Sequence, residues 1–256
     1  MNTPGPAPAN APPGYRTKQD LVAIRGIDAL LICSLLDRQQ HADPLGEAEA
    51  LGISSAAWPL FGQLWASSLQ LAALMGERPL VAHERVLEVG CGLALASLVS
   101  HRRGVDVTAS DCHPLAATFL LENLRLNALP PLPYRHGHWS AAPLLAVGVE
   151  TPLRAAVPDR PIVEGLFGLI IGSDVLYERD DAGVLSAFID RHANPDAQVL
   201  IVDPDRGNRA AFNRRMAAAG FVLEQTTLGG GAVGVGAYRG RLLSYRRGVG
   251  MGVLRA

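Results

Sequence analysis

The chain has 256 residues, of which 48% are hydrophobic and 18% are charged, and its formal net charge at pH 7 is -1. This length and composition suit one large α/β domain with a full hydrophobic core. The nearly neutral charge excludes the global positive field that drives nonspecific binding to nucleic acid, and no apolar run is long enough to span a membrane.

The N-terminal quarter of the chain has a composition of its own. Residues 1–14, rich in proline and alanine, have neither the basic start nor the apolar core of a signal peptide, and we expect a disordered tail. Residues 15–56 are expected to form an N-terminal segment that packs on the core, with a short extended piece followed by a helix. Residues 57–256 are predicted to form the main domain, which opens with a helical pattern after Pro59 and Gly62.

From residue 85 onward, apolar strand candidates alternate with helical patterns, which predicts a doubly wound, mostly parallel sheet. Two strands at the end of the chain have no helix between them, so we expect an antiparallel hairpin there. Residues 140–161 have no steady period and are predicted to be an irregular surface excursion. The first six strands are predicted at residues 85–89, 105–111, 133–139, 168–177, 197–205 and 221–228, and the helices between them at 95–101, 114–129, 181–192 and 208–220.

The stretch RVLEVGCGLALASL, residues 85–98, predicts a strand, a glycine turn and a helix. Such a turn presents backbone N–H groups to an anion or a ribose, and both dinucleotides and S-adenosylmethionine bind to turns of this kind. The dinucleotide fingerprint needs a small residue at its sixth position, where this chain has Leu95. Glu88 lies two places before Gly90 and would repel a pyrophosphate, whereas it would attract the ammonium and sulfonium groups of S-adenosylmethionine.

A second carboxylate ends the next strand. Asp111 lies about twenty residues after the glycines, where a carboxylate accepts hydrogen bonds from both ribose hydroxyls. This feature is common to both cofactor classes and supports binding of a nucleoside. The alternative is that Glu88 and Asp111 only cap backbone groups at the ends of their strands.

Four stretches together resemble the class I, seven-β-strand S-adenosylmethionine-dependent methyltransferases. They read VLEVGCGLALAS, VTASD, GLIIGSDVLYE and LIVDPDR. Within that class the chain is most similar, over residues 57–247, to the family 16 protein lysine methyltransferase-like group. GQLW, residues 62–65, resembles the family's tryptophan segment, and residues 174–177 resemble its acidic-x-x-Tyr motif.

The resemblance implies a Rossmann-like α/β fold with a seven-stranded sheet, a terminal antiparallel hairpin and a small N-terminal helical or extended segment. It also implies S-adenosyl-L-methionine as cofactor and a protein lysine as methyl acceptor. The chain departs from the family in having Ala94 for the third glycine, His138 where an acidic residue is common, and Asp205 for the glycine of a DPGR motif.

The resemblance also assigns roles to the site residues. Asp174 is expected to orient the incoming amine and Tyr177 to wall the methyl channel; alternatively, Asp174 caps the following turn and Tyr177 packs under the sheet edge. We expect no metal, because His136 and His138 share a strand face without a third ligand. The residues expected to bind the cofactor are Trp65, Glu88, Gly90, Gly92, Asp111, His138, Trp139 and Ser173.

Other activities stay open at this point. One is a small-molecule N-methyltransferase of the same fold, and others are an NAD-dependent oxidoreductase and a noncatalytic binding module. We expect a protein or small-molecule acceptor, a monomer, and neither a membrane nor a nucleic acid as partner. The three cysteines lack CxxC spacing, which argues against a disulfide framework or a zinc site and favours the cytoplasm.

Overall fold

The structure, a computed structural model, describes residues 15–139, 161–177, 180, 182–205, 207–230 and 238–247. The expected tail and nearly all of the irregular excursion lie outside the described residues. The N-terminal part contains strands β1 (Thr17–Ile24) and β2 (Ile27–Leu35), helix α1 (Glu47–Ala50), a short 3-10 helix (Trp58–Gly62) and helix α2 (Ala66–Glu77).

A seven-stranded sheet forms the centre of the protein, with the strand order β5-β4-β3-β6-β7-β9-β8. Its first five strands are parallel, and β9 runs antiparallel to both β7 and β8. The predicted fold class and the terminal antiparallel hairpin are therefore confirmed. The strands are β3 (Arg85–Val89), β4 (Asp106–Asp111), β5 (Tyr134–His136), β6 (Phe167–Ser173), β7 (Ala193–Asp203), β8 (Phe221–Gly230) and β9 (Tyr238–Arg247).

Helices cover both faces of this sheet. Besides α2, they are α3 (Leu95–Arg102), α4 (Ala116–Leu126), α5 (Val184–His192) and α6 (Arg209–Ala218). Side chains alternate along a strand, so neighbouring residues pack on opposite faces. Val86 packs in one apolar cluster with residues of α2, whereas Leu87 packs in another with residues of α5 and α6. This alternation fixes which residues at the ends of the strands can reach a common site.

The N-terminal segment corrects one prediction. We expected a helix after its first extended piece, but β1 and β2 form an antiparallel hairpin that turns at Gly26, whose φ is 77°. The continuous apolar run in β2 fits a buried strand as well as a helix, and periodicity alone does not separate them.

Two asparagine side chains hold the hairpin in place, Asn123 of α4 and Asn127, which directly follows α4. The Leu31 N–H donates to Asn127 Oδ1 at 2.9 Å, and Asn127 Nδ2 donates back to the Leu31 carbonyl at 2.8 Å. The Cys33 N–H donates to Asn123 Oδ1 at 2.8 Å. Apolar residues of the hairpin also share a cluster with residues of α3 and α4. The predicted division of the chain at residue 57 stays a prediction.

Candidate functional site

A cavity of about 320 Å³ lies at the carboxyl ends of β3, β4 and β6, the edge at which open parallel sheets bind ligands. We refer to it as the donor cavity. Every predicted site residue except Glu88 lines it, so the structure brings together side chains that are far apart in sequence. These residues are Trp65, Gly90, Gly92, Asp111, His138, Trp139, Ser173, Asp174 and Tyr177.

The glycine turn between β3 and α3 forms one wall of the cavity. Gly90 and Gly92 have φ angles of 59° and 51°, in the left-handed region that favours glycine. A Cβ on Gly92 would lie 2.8 Å from the Phe61 carbonyl oxygen, and one on Gly90 would lie 2.9 Å from Val175 Cγ1. Both positions therefore need glycine for conformation and for space. Ala94 adopts the same region with φ 59°, as the third glycine of the family motif would.

Asp111 lies opposite this turn at the end of β4. Its Oδ2 accepts from the Gly92 N–H at 2.8 Å, and its Oδ1 accepts from the His113 N–H at 2.8 Å. Burial raises the pKa of Asp111, although the backbone hydrogen bonds oppose this shift. The backbone N–H and the thiol of Cys112 also donate to Asp111, which is therefore held in place by its own loop.

Glu88 does not reach the donor cavity. Its Oε2 accepts from the Ser97 N–H at 2.8 Å and from the Ser97 hydroxyl, so it satisfies the first turn of α3. The capping role that we weighed for Glu88 is therefore what the structure shows, and the expected direct contact with a cofactor is not. The reason is side-chain alternation, which directs Glu88 into the protein beneath the turn.

Burial raises the pKa of Glu88 to about 7, while the Ser97 hydrogen bonds lower it and Asp111 raises it further. We expect this group to couple stability to pH. Since the folded-state pKa lies above the ordinary 4.5, the folded protein favours neutral Glu88, and stability is lost as pH rises toward 7. Glu88→Gln should remove this loss, which is on the order of 3 kcal/mol. Urea unfolding at pH 5 and pH 8 measures it; equal pH dependence in both proteins would contradict the assignment.

Asp174 follows β6 and has an unusual backbone conformation. Its φ is 56°, and its N–H donates to the Val202 carbonyl at 2.9 Å. Left-handed backbone at a residue other than glycine costs on the order of 1 kcal/mol and is often found at functional sites. Tyr177 lies on the cavity wall with 41% of its surface exposed, so it is not packed under the sheet edge.

Two tryptophans border the cavity in different ways. The Trp65 indole N–H donates to the Leu60 carbonyl at 2.9 Å, and the Arg38 guanidinium lies 4.6 Å from the Trp65 ring. These contacts fix the orientation of Trp65. The Trp139 indole nitrogen is buried, and it has no hydrogen-bond acceptor among the residues that the structure describes. The Trp139 side chain itself lines the cavity.

The sequence did not reveal several cavity residues. His113 and Phe61 line the cavity and stack with their ring centroids 3.7 Å apart. Leu51 and Ile53 of the N-terminal segment and Leu60 of the 3-10 helix add an apolar wall. The one local signal was His113 itself, two residues after Asp111; the apolar residues carry no chemical signature.

The remaining departure from the family motif has a backbone explanation. Asp205, which stands where the family has glycine, has φ 67°, and aspartate tolerates this region better than most residues. It forms ion pairs with Arg209 and, at 3.5 Å, with Arg241. Asp205 is not among the described residues that line the donor cavity.

The described residues contain neither a cluster of potential metal ligands nor a membrane-spanning helix. Within them, no group of three or more His, Cys, Asp or Glu side chains is placed to hold a metal ion. Cys33, Cys91 and Cys112 are free thiols. No helix in the described part of the chain has the length and hydropathy needed to cross a bilayer.

No protein-family model matches this sequence, and no curated protein sequence matches it. Solved methyltransferase structures share its fold. The ribosomal protein L11 methylase of Lactobacillus delbrueckii subsp. bulgaricus has a TM-score of 0.50 and 23% identity, covering 72% of this chain and 80% of that one. A methyltransferase from Pyrococcus furiosus has a TM-score of 0.51 and 17% identity, covering 79% of this chain and 98% of that one. A protein of Streptococcus mutans, assigned as a SAM-dependent methyltransferase, has a TM-score of 0.52 and 10% identity, covering 89% and 55%.

Proposed function

We propose that the protein is an S-adenosylmethionine-dependent methyltransferase that transfers a methyl group to a protein lysine. The charge of the donor cavity carries this proposal. Asp111 and Asp174 are its carboxylates, and no lysine or arginine is present among the described residues that line it. Asp111 suits either cofactor class, whereas the second carboxylate, Asp174, would repel a pyrophosphate and attract a cationic methyl donor. The methyltransferase fold supports the same conclusion.

The described residues fit this donor. A volume of about 320 Å³ lies at the small end of the range for ligand pockets, and the glycine turn leaves the backbone accessible. Gly90 and Gly92 would hold the donor from the turn, and Asp111 would accept from its ribose hydroxyls. Trp139 offers its unsatisfied indole N–H, and His138 lies beside it on the wall.

The donor, when bound, supplies a methyl group on a sulfonium. Asp174 accepts a hydrogen bond from the acceptor amine and holds its lone pair in line with that methyl group. Because a lysine amine has a pKa of about 10.4, it must lose a proton before it reacts, and the carboxylate then stabilises the positive charge that develops on nitrogen. Tyr177 and Trp65 border this space and present aromatic rings to a cation.

The apolar part of the wall supports a lysine as acceptor. Leu51, Ile53 and Leu60 provide hydrocarbon contacts for a four-carbon stem, and Asp174 stands at the polar end. An RNA would bring phosphates toward a site that already holds two carboxylates. The name of the Lactobacillus neighbour gives a ribosomal protein as the acceptor of that enzyme, which is compatible with a protein substrate here. A small alkylamine would also satisfy this wall.

Donor identity is tested by thermal unfolding with saturating S-adenosylmethionine, S-adenosylhomocysteine or NAD⁺. We expect the first two to raise Tm by several degrees and NAD⁺ to leave it unchanged, because only ligands that bind the native state stabilise it. Stabilisation by NAD⁺ alone would replace the proposal with an oxidoreductase.

The acceptor is then identified with S-adenosylmethionine labelled in its methyl group and a lysate of the source cells. Label that survives ribonuclease, is released by protease and elutes as methyl-lysine after hydrolysis supports the proposal. Label in RNA or in small molecules assigns a different acceptor. Donor binding without any transferred label would indicate a noncatalytic module.

The free thiols support a cytoplasmic location, which we also propose. The monomeric state stays a prediction.

A further inference from the structure

A second cavity, of about 470 Å³, adjoins the donor cavity. We refer to it as the side cavity. The two cavities share Trp139, Val175, Tyr177 and Val184 in their walls. Tyr177 also borders the space in which Asp174 would hold the acceptor amine. A substrate whose amine lies beside Asp174 can therefore extend past Tyr177 into the side cavity.

The charge of the side cavity is opposite to that of the donor cavity. Arg214 and Arg215 line it, together with one acidic residue, Asp180. The Asp180 carboxylate already accepts from the Val184 and Leu185 N–H groups, at 2.9 and 3.1 Å, and so caps α5. Arg214 forms no ion pair with any residue that the structure describes. With two arginines and one aspartate, the described wall residues have a net positive charge.

Two further features add hydrogen-bond donors to this wall. The N-terminus of α6 has no side-chain cap and no acidic residue in its first turn, and Gly207, Ala210 and Ala211 line the cavity there. The N–H groups of this first turn, which no side chain caps, and the helix dipole favour an anion. The buried Trp139 indole N–H, without an acceptor among the described residues, belongs to the wall between the two cavities.

We propose that the side cavity binds a carboxylate carried by the acceptor, so that the preferred substrate is a lysine with an aspartate or glutamate close to it in the substrate chain. This inference rests on the proposed function, because it takes the donor cavity as the place of the reacting amine. The two cavities then divide recognition. The acidic cavity selects the amine, and the basic cavity selects the acidic neighbour.

Binding of the carboxylate is tested without donor or turnover. The full chain is labelled with 5-fluorotryptophan, and the Trp139 resonance is assigned by fluorine NMR of Trp139→Phe. Titration with N-acetylglutamate α-methylamide, whose side chain is its only carboxylate, is expected to shift this resonance in a saturable way, and the neutral N-acetylglutamine α-methylamide is not. Arg214→Gln should weaken the binding of N-acetylglutamate α-methylamide at least about fivefold. Arg246→Gln, at an exposed position of β9 outside both cavities, removes the same charge and should leave it unchanged.

Selection of substrate gives a second readout. Peptide pairs with one lysine and either glutamate or glutamine beside it are compared by kcat/KM, with the C-terminus amidated so that only the side chain supplies a carboxylate. We expect a preference of about tenfold for glutamate, reduced to near one in Arg214→Gln. Equal shifts of the Trp139 resonance by the α-methylamides of N-acetylglutamate and N-acetylglutamine would overturn the inference, whatever the peptides show. Failure of the proposed function would instead be detected as absent binding of S-adenosylmethionine, which this titration does not require.

Discussion

Asp174→Asn is expected to lower kcat by about 100-fold or more and to leave the Kd of S-adenosylmethionine within about twofold. Asparagine tolerates the left-handed backbone of this position, so the fold is retained, but its amide carries no charge to stabilise a developing cation. Isothermal titration gives the Kd, and transfer of labelled methyl groups gives kcat.

A matched control is available at Asp205, which has a similar φ of 67° but does not line the donor cavity among the described residues. Asp205→Asn also removes one negative charge beside the end of a strand, and it should keep most of the activity. If Asp174→Asn retained full turnover, the orienting role of Asp174 would have to be abandoned. If both variants lost activity equally, the loss would be caused by the lower negative charge at this edge of the sheet and not by a specific role of Asp174.

Asp111→Ala is expected to weaken donor binding by about 1 to 3 kcal/mol, which corresponds to a rise in Kd of roughly 5- to 150-fold. Alanine removes the acceptors for the ribose hydroxyls and also leaves the Gly92 and His113 N–H groups without their partner. Asp111→Asn keeps one acceptor oxygen and should have a smaller effect. Isothermal titration measures both variants.

The effect of Asp111 on binding is separated from its effect on the turn by comparison with Glu88→Gln. Glu88 also supports the turn, through Ser97, but does not line the cavity. We expect Glu88→Gln to change the Kd much less than Asp111→Ala at the same pH. A Kd unaffected by Asp111→Ala would remove the ribose-binding role.

The strand ends explain why much of the site could be predicted from the sequence. Parallel strands place their carboxyl ends at one edge of the sheet, so Asp111 at the end of β4 and Asp174 after β6 were expected at the same edge, where they lie on either side of β3. The glycines of the turn also carried a local signal, because few other residues adopt their φ angles. Position along the chain and residue type were sufficient there.

Other features depend on contacts that no local pattern encodes. Glu88 lies on β3, the strand that leads into the glycine turn. Whether its carboxylate faces a ligand or α3 depends on the packing of Ser97. Phe61 reaches the cavity because the 3-10 helix packs against His113, which is 52 positions away in the sequence. The β2 strand resembled a helix because its apolar run is buried on both sides.

Asn123 and Asn127 give the N-terminal hairpin a role beyond packing. A strand edge with open amides and carbonyls can recruit a strand from another molecule. On β2, Asn123 and Asn127 occupy the N–H groups of Leu31 and Cys33 and the Leu31 carbonyl, so these groups are not open to such recruitment. Removing the residues before 57 would leave the side-chain amides of Asn123 and Asn127 without these partners and would expose apolar side chains of α4. The exposed apolar surface would favour self-association of the shortened protein.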